Sequence, residues 1–151
     1  MIVRWRGSVK PGGTSAEPVI STDFYPTILH LAGLDLRPQQ HVDGVSFAPL
    51  LRGAPRLDRD ALYWHYPHYS NQGGRPSGAV RRGDYKLIEF YEDQRVELYN
   101  LADDLGEKRD LSGQLREKTA ALRKALRQWR SAVSARMPGV NPDYRQARDP
   151  S

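Results

Sequence analysis

The segments that decide the fold are ALYWHY at residues 61–66, AVRR at 79–82, YKLIEF at 85–90 and VELY at 96–99. Polar or glycine-rich turns flank each segment. Within the segments side-chain character alternates with a period of two residues, which is typical of strands. Gly83-Asp84 joins the second segment to the third, and a glycine at the first central position of a two-residue connection favours a type II′ hairpin turn. The sequence therefore predicts an antiparallel meander of four strands.

A long helix is predicted over residues 112–135. Its apolar positions step by four and three residues and form one narrow stripe, made of Leu115, Thr119, Leu122, Leu126, Trp129 and Val133. Such a stripe buries itself against one face of the meander. The expected fold class is therefore α+β, with a four-stranded antiparallel sheet packed on a long C-terminal helix.

A shorter helix is predicted before the meander, at residues 24–32. Thr22 or Asp23 is expected to cap it, Pro26 is tolerated in its first turn, and Gly33 is a natural stop. The helix is apolar over a wide arc, so we expect it to be buried on more than one side.

Short extended pieces are expected at residues 2–5 and 18–20. A helical turn is expected around Pro49, with Ser46 as its cap and Gly53 at its end. A charged linker follows, and the main boundary of the chain is placed there, after residue 55.

Composition limits the class of protein. The 151 residues carry a formal charge of +5, and the pI is about 9.6. This balance suits anionic partners such as sulfated glycans or nucleic acid, although a merely solvated basic surface is the commoner explanation. With no cysteine, disulfides and thiolate metal sites are excluded. A mean hydropathy of −0.70 is low for a chain that buries its own core, and no apolar run is long enough to cross a membrane.

Three stretches carry a resemblance to a known family: LYWHYPHY at residues 62–69, RRGDYKLIE at 81–89 and ELYNLADDLGE at 97–107. Together they resemble the C-terminal region of type I sulfatases, the sulfuric ester hydrolases of the arylsulfatase and iduronate-sulfatase kind. The resemblance implies that residues 1–55 are the tail end of an alkaline-phosphatase-like α/β domain. Residues 56–136 would be the C-terminal subdomain and 137–151 an irregular tail.

The catalytic machinery of that family is missing from this sequence. Its nucleophile is a formylglycine made in a Cys/Ser-x-Pro-Ser-Arg motif, which the sequence does not contain. No catalytic residue and no metal ligand can be assigned here, and calcium is implied only for the complete family enzyme. We expect the C-terminal fragment of a sulfatase acting on carbohydrate sulfate esters, inactive alone. A gene fragment, a split gene and a misplaced start codon remain open origins.

His65 and His68 are the candidate substrate-binding residues. Histidine donates to a sulfate or a sugar hydroxyl near neutral pH, and the aromatic residues around both can stack on a sugar ring. His65 should project from the strand opposite Trp64 and Tyr66, while His68 follows Pro67 in a loop. In the family this strand end faces the substrate. The alternative is that both histidines only pack.

Two further features have competing interpretations. Between Arg116 and Arg130 the predicted helix carries six basic residues and one acidic residue, which suits either polyanion binding or a solvated face. The carboxylates of residues 103–107 lack the ligand order of a calcium loop and favour a structural turn.

The alternative function combines the histidine cluster with this basic helix: a non-catalytic basic module that binds anionic glycans. If the chain is a sulfatase fragment, the expected partners are sulfated carbohydrate and a missing N-terminal half. Neither nucleic acid nor a membrane is an expected partner. By family resemblance the location is periplasmic or extracellular, although residues 1–5 are too short and polar for a signal peptide.

Overall fold

The computed structural model describes residues 1–139 and 141, which form parts of two compact units. Unit 1 runs from Met1 to Asp60, and unit 2 begins at Ala61. The sequence-based division after residue 55 lies slightly earlier, and its assignment to sulfatase domains remains a prediction. Within the expected irregular tail, residues 137–139 and 141 form no helix or strand, and the rest lies outside the described residues.

Unit 2 is built on a four-stranded antiparallel sheet in the order β1-β2-β3-β4. The strands are β1 (Leu62–Tyr66), β2 (Ser77–Arg82), β3 (Tyr85–Phe90) and β4 (Val96–Asn100). Each strand pairs with the next along the chain. The predicted meander is therefore confirmed, and sequence order and spatial order coincide.

The turn between β2 and β3 has the predicted form. Gly83 has a φ of +58°, and the positive-φ residues do not include Asp84, as a type II′ turn requires. A side chain at Gly83 would be strained by this φ, so glycine is the residue that suits the position.

The core of unit 2 lies between the sheet and one long helix. One row of paired residues crosses the inner face of the sheet: Tyr63, Val80, Leu87 and Leu98. Helix α3 (Arg116–Ala132) covers this row and packs Leu122 and Leu126 against it. Five fully or nearly fully buried aliphatic residues thus form one cluster, and the predicted packing of the apolar stripe is confirmed.

Helix α3 begins and ends inside the predicted limits of residues 112–135. At its start the Asp110 carboxylate accepts hydrogen bonds from the backbone N–H groups of Leu98 and Ser112, both within 2.9 Å. These bonds hold residue 112 in a turn rather than in the helix. At the other end Val133 is 47% exposed, so it is not part of the buried stripe.

Unit 1 contains a one-turn 3-10 helix (Ser21–Asp23) and two short α-helices, α1 (Phe24–Leu31) and α2 (Ala48–Leu51). Pro26 lies in the first turn of α1, and Gly33 ends that helix with a φ of +69°, both as predicted. The predicted cap of α2 is wrong, because Phe47 and not Ser46 is the N-cap and no side chain caps the helix. The Ser46 hydroxyl accepts a hydrogen bond from the Ala48 backbone N–H at 3.3 Å, one residue before the cap position.

The prediction that Asp23 caps α1 is wrong, because its side chain makes no cap hydrogen bond to the first turn. The fully buried carboxylate instead accepts from the backbone N–H groups of Ile20 and Val45, both at 2.9 Å. Arg59 adds an ion pair at 2.7 Å. Asp23 therefore ties three separated segments of unit 1 together.

The expected extended pieces at residues 2–5 and 18–20 are not strands in the described residues. An extended segment becomes a strand only with a hydrogen-bonding partner, and unit 1 provides none. The expected burial of α1 is also only partial: Phe24 is 44% and Ile28 61% exposed. The contacts that hold unit 1 together include those of Asp23 and the hydrogen bond from the Phe47 N–H to Thr27.

Candidate functional site

His65 lies on the inner face of β1, opposite in direction to Trp64 and Tyr66, as predicted. Its Nδ1 atom is 2.6 Å from the Tyr91 hydroxyl, and its Nε2 atom is 2.8 Å from the Arg136 backbone carbonyl. A carbonyl can only accept, so Nε2 carries a proton and donates to it. Both ring nitrogens of His65 therefore already have partners within unit 2.

Gly78 makes the contact between His65 and Tyr91 possible. It pairs directly with His65 across β1 and β2. A Cβ atom at this position would collide with the Tyr91 hydroxyl and come within 3.1 Å of the Trp64 carbonyl. The missing side chain thus leaves room for Tyr91 to reach over β2 to the imidazole.

His68 has a different environment, in the loop that follows β1. Its ring packs edge-on against Tyr66, with 5.7 Å between the ring centroids. The side chain is exposed, and its ring nitrogens have no hydrogen-bond partner among residues 1–139 and 141. The structure thus places the two predicted histidines in separate surroundings.

The outer side of β1 presents exposed aromatic rings. Trp64 is 38% and Tyr66 is 49% exposed. Their neighbours across β2 are Ala79 and Ser77, whose small side chains leave the rings uncovered. With His68 they form what we call the aromatic strip: Trp64, Tyr66 and His68. An exposed ring beside a donor is suited to a sugar, which offers an apolar face and several hydroxyl groups.

The loop beyond the aromatic strip is a hydrogen-bonded turn. The Ser70 hydroxyl accepts from the backbone N–H groups of Gln72 and Gly74, at 3.3 and 3.0 Å. The Ser70 N–H donates to the Gly74 carbonyl at 2.9 Å. Residues 70–74 are therefore organised around one serine.

A buried charge cluster lies beside His65, between the sheet and α3. Glu89 is only 3% exposed, and its carboxylate accepts from Arg123 at 2.6 Å, Arg130 at 2.5 Å and Arg127 at 3.3 Å. Burial alone raises the pKa of Glu89, but the hydrogen bonds from Arg123 and Arg130 outweigh it. The pKa therefore lies below the ordinary value of 4.5.

Arg130 links this cluster to His65 through Tyr91. Its guanidinium lies over the Tyr91 ring, 5.1 Å from the centroid. Burial lowers the pKa of Arg130, but Tyr91 and Glu89 outweigh it, so the net pKa is raised. Burial also raises the pKa of the Tyr91 hydroxyl. Glu89, Arg130, Tyr91 and His65 are thus successive contacts in one polar network.

Sequence reasoning missed this network, although two signals for it are present. Arg123, Arg127 and Arg130 are spaced four and three residues apart, which places them on one side of a helix. Glu89 follows Leu87 by two residues in β3, so it faces the same side as a core residue. An acidic residue at an inward strand position needs a cationic partner.

The acidic segment at residues 103–107 has a structural arrangement. Asp104 accepts from the backbone N–H groups of Lys108 and Arg109, both at 2.8 Å, and Asp103 accepts from the Asn100 amide at 2.6 Å. Among the described residues, no group of three or more His, Asp or Glu side chains could hold a metal ion. Calcium therefore stays an expectation for the complete family enzyme.

The comparison with protein families identifies the chain. Residues 1–132 match the family model described as N-sulphoglucosamine sulphohydrolase, C-terminal. The chain belongs to this sulfatase family. The resemblance expected from residues 62–69, 81–89 and 97–107 is confirmed.

Individual sulfatases match this C-terminal region over most of its length. A sulfatase of Formosa agariphila is 37% identical over 121 residues, which cover 74% of this chain and 22% of the relative. The N-acetylglucosamine-6-O-sulfatase of Bacteroides thetaiotaomicron is 28% identical over 97% of this chain and 26% of its own length. The chain thus spans about a quarter of the length of these curated relatives.

A solved structure confirms the fold of this sulfatase region. BT4656, in complex with its substrate D-glucosamine-2-N,6-O-disulfate, matches with a TM-score of 0.74 and 28% sequence identity. The match covers 88% of this chain and 28% of BT4656. The α+β fold class, with its link to the alkaline-phosphatase-like sulfatases, is therefore confirmed. No helix among the described residues is long and apolar enough to cross a membrane.

Proposed function

We propose that this chain serves as the C-terminal part of a sulfatase that hydrolyses sulfate esters of carbohydrates. The observation that carries the proposal is the structural match to BT4656, which was solved with a sulfated glucosamine as its substrate. The match to an N-acetylglucosamine-6-O-sulfatase supports the same substrate class. The corresponding location is periplasmic or extracellular.

In this proposal the chain contributes to substrate binding, and another polypeptide segment performs the chemistry. Sulfate ester hydrolysis needs a nucleophile and preorganised charge to stabilise the sulfuryl oxygens. The sequence contains no Cys/Ser-x-Pro-Ser-Arg motif, and the described acidic residues do not gather into a calcium site. The implied partner is therefore an N-terminal α/β half that carries both.

The aromatic strip is the proposed contact surface for the sugar. Trp64 and Tyr66 would stack on the pyranose ring, and His68 would donate to a sulfate oxygen or a hydroxyl. In this proposal His65 does not bind the sugar, because both its ring nitrogens are hydrogen-bonded within unit 2. It would position the end of β1 rather than touch the sugar directly.

The test joins this chain in frame to a catalytic segment and uses glucosamine-6-sulfate as substrate. The sequence encoded ahead of Met1, or a neighbouring gene, should supply the Cys/Ser-x-Pro-Ser-Arg motif. His68→Ala should lower kcat/KM by about ten- to hundredfold with an unchanged Tm, since one contact of this kind contributes about 1–3 kcal/mol. His65→Ala should lower the Tm, because it removes two internal hydrogen bonds.

The isolated 151-residue chain is the control and should show no turnover with calcium added. Turnover that follows the isolated chain through repeated purification would contradict the division of labour. Unchanged kinetics in His68→Ala would remove the aromatic strip from the substrate site. If neither the sequence encoded ahead of Met1 nor a neighbouring gene contains the Cys/Ser-x-Pro-Ser-Arg motif, the proposal as a whole is overturned.

A further inference from the structure

A shallow, open concavity lies at the C-terminal end of α3, in the turn that follows the helix. Its lining consists of two arginines, two serines and two apolar residues: Arg127, Arg130, Ser131, Ser134, Ala135 and Met137. Guanidinium and hydroxyl groups are hydrogen-bond donors, and no carboxylate of the described residues is part of the lining. The lining therefore favours an anion with several acceptor oxygens.

The charge cluster next to the concavity has more positive than negative charge. Three guanidinium groups surround the single carboxylate of Glu89. Three positive charges against one negative charge leave the cluster with a net charge of +2. An anion bound beside these arginines would reduce their mutual repulsion.

Arg127 is the guanidinium that is free to turn toward a ligand. Its side chain is 54% exposed, and its bond to Glu89 is 3.3 Å long. The Glu89 oxygen it approaches already accepts from Arg123 at 2.6 Å. Turning away from Glu89 would therefore cost Arg127 little.

Arg130 has one hydrogen-bond donor group without an acceptor among the described residues. Its side chain is only 11% exposed, and its Nη1 group is covered and lacks an acceptor among the described residues. A covered N–H without an acceptor is costly. A small shift of the guanidinium toward the concavity would give this donor an anionic partner.

The closure of the end of α3 reduces the repulsion that a helix C-terminus usually exerts on anions. Helix carbonyls at a C-terminus repel negative charge. Here the carbonyls of Trp129, Arg130 and Ser131 accept from the backbone N–H groups of residues 133, 135 and 134, at 2.9–3.1 Å. Ser134 makes this closure with a φ of +51°. Three of the last four helix carbonyls, those of residues 129–131, are therefore occupied by backbone N–H groups.

We infer that this concavity binds a tetrahedral oxyanion, a sulfate or phosphate group, between the guanidinium groups of Arg127 and Arg130. The Ser131 and Ser134 hydroxyls supply two further donors. Binding requires no hydrolysis, so the site does not depend on the proposed sulfatase function. The sulfate of a sulfated sugar and free phosphate share this chemistry, and titration separates them.

The experiment titrates the full-length chain with sodium sulfate at constant ionic strength, with chloride as the balancing anion. Backbone amides are followed by NMR. Amides of residues 131–137 should shift in a saturable manner. Arg127→Gln should weaken sulfate binding about fivefold, because it removes one charge-assisted contact from an exposed position.

Arg116→Gln is the matched control, since Arg116 is exposed on the same helix but lies at its other end. It makes the same change of charge and should leave the affinity within about twofold. Ser134→Gly removes one hydroxyl without changing the charge, and glycine tolerates the positive φ. Weaker binding in Ser134→Gly would show a formed site rather than general attraction.

Equal weakening by Arg127→Gln and Arg116→Gln would overturn the inference, because diffuse attraction would then explain the binding. Linear shifts without saturation would overturn it as well. Phosphate is titrated in parallel. Equal affinity for both ions identifies a general oxyanion site, whereas a preference of more than about tenfold for sulfate assigns it to sulfated ligands.

Discussion

Glu89 makes the stability of unit 2 depend on pH. Its pKa in the folded state lies below 4.5, because hydrogen bonds from Arg123 and Arg130 outweigh the effect of burial. A depressed folded pKa means that the stabilisation is fully present above the unfolded pKa. It is lost as the pH falls through the folded pKa. The affected range is therefore the acidic side of pH 4.5.

Glu89→Gln should lower the free energy of unfolding of unit 2 by about 2–4 kcal/mol at pH 7, because three arginines lose their shared carboxylate. The difference between wild type and variant should shrink below pH 4.5, where protonated Glu89 resembles glutamine. Urea unfolding followed by tryptophan fluorescence at pH 7 and near pH 3 measures both. A difference that stays constant down to pH 3 would show that Glu89 does not titrate in this cluster.

At the scale of elements, α3 is held to the sheet by the middle of its apolar stripe and not by its end. Leu126 is fully buried against Val80, Leu87 and Leu98, whereas Val133 is 47% exposed. Leu126→Ala should cost about 2–5 kcal/mol through lost transfer energy and a cavity. Val133→Ala, its matched control, should cost less than about 0.5 kcal/mol. Equal losses in denaturant unfolding would place the end of the stripe in the core.

The elements differ in how far their sequences determine them. The hydrophobic period and the turn residues are enough to predict the four strands and α3. Gly83 and the spacing of Leu122 and Leu126 determine structure through residues that are near in sequence. The role of Asp23 was not predictable, since its partners Val45 and Arg59 are distant in sequence. The hydrogen bonds of His65 could not be predicted either, because its partners Tyr91 and Arg136 are also distant in sequence.

At the scale of the whole molecule, the two units should differ in local stability. Unit 2 has a closed sheet–helix core, whereas α1 in unit 1 exposes Phe24 and Ile28. Hydrogen exchange by mass spectrometry should find the α1 amides exchanging at least about tenfold faster than those of Leu87 and Leu122, because few buried apolar contacts oppose local opening. Equal protection in both units would contradict this expectation.

The hydrogen bond from His65 to the Arg136 carbonyl joins residues that are 71 positions apart. One partner lies in the first strand of unit 2, and the other lies just beyond its last helix. Within the described residues, this one bond therefore closes a loop that contains β2, β3, β4 and α3. Losing this bond would release the segment around Arg136 from β1 without breaking any of the strand pairing.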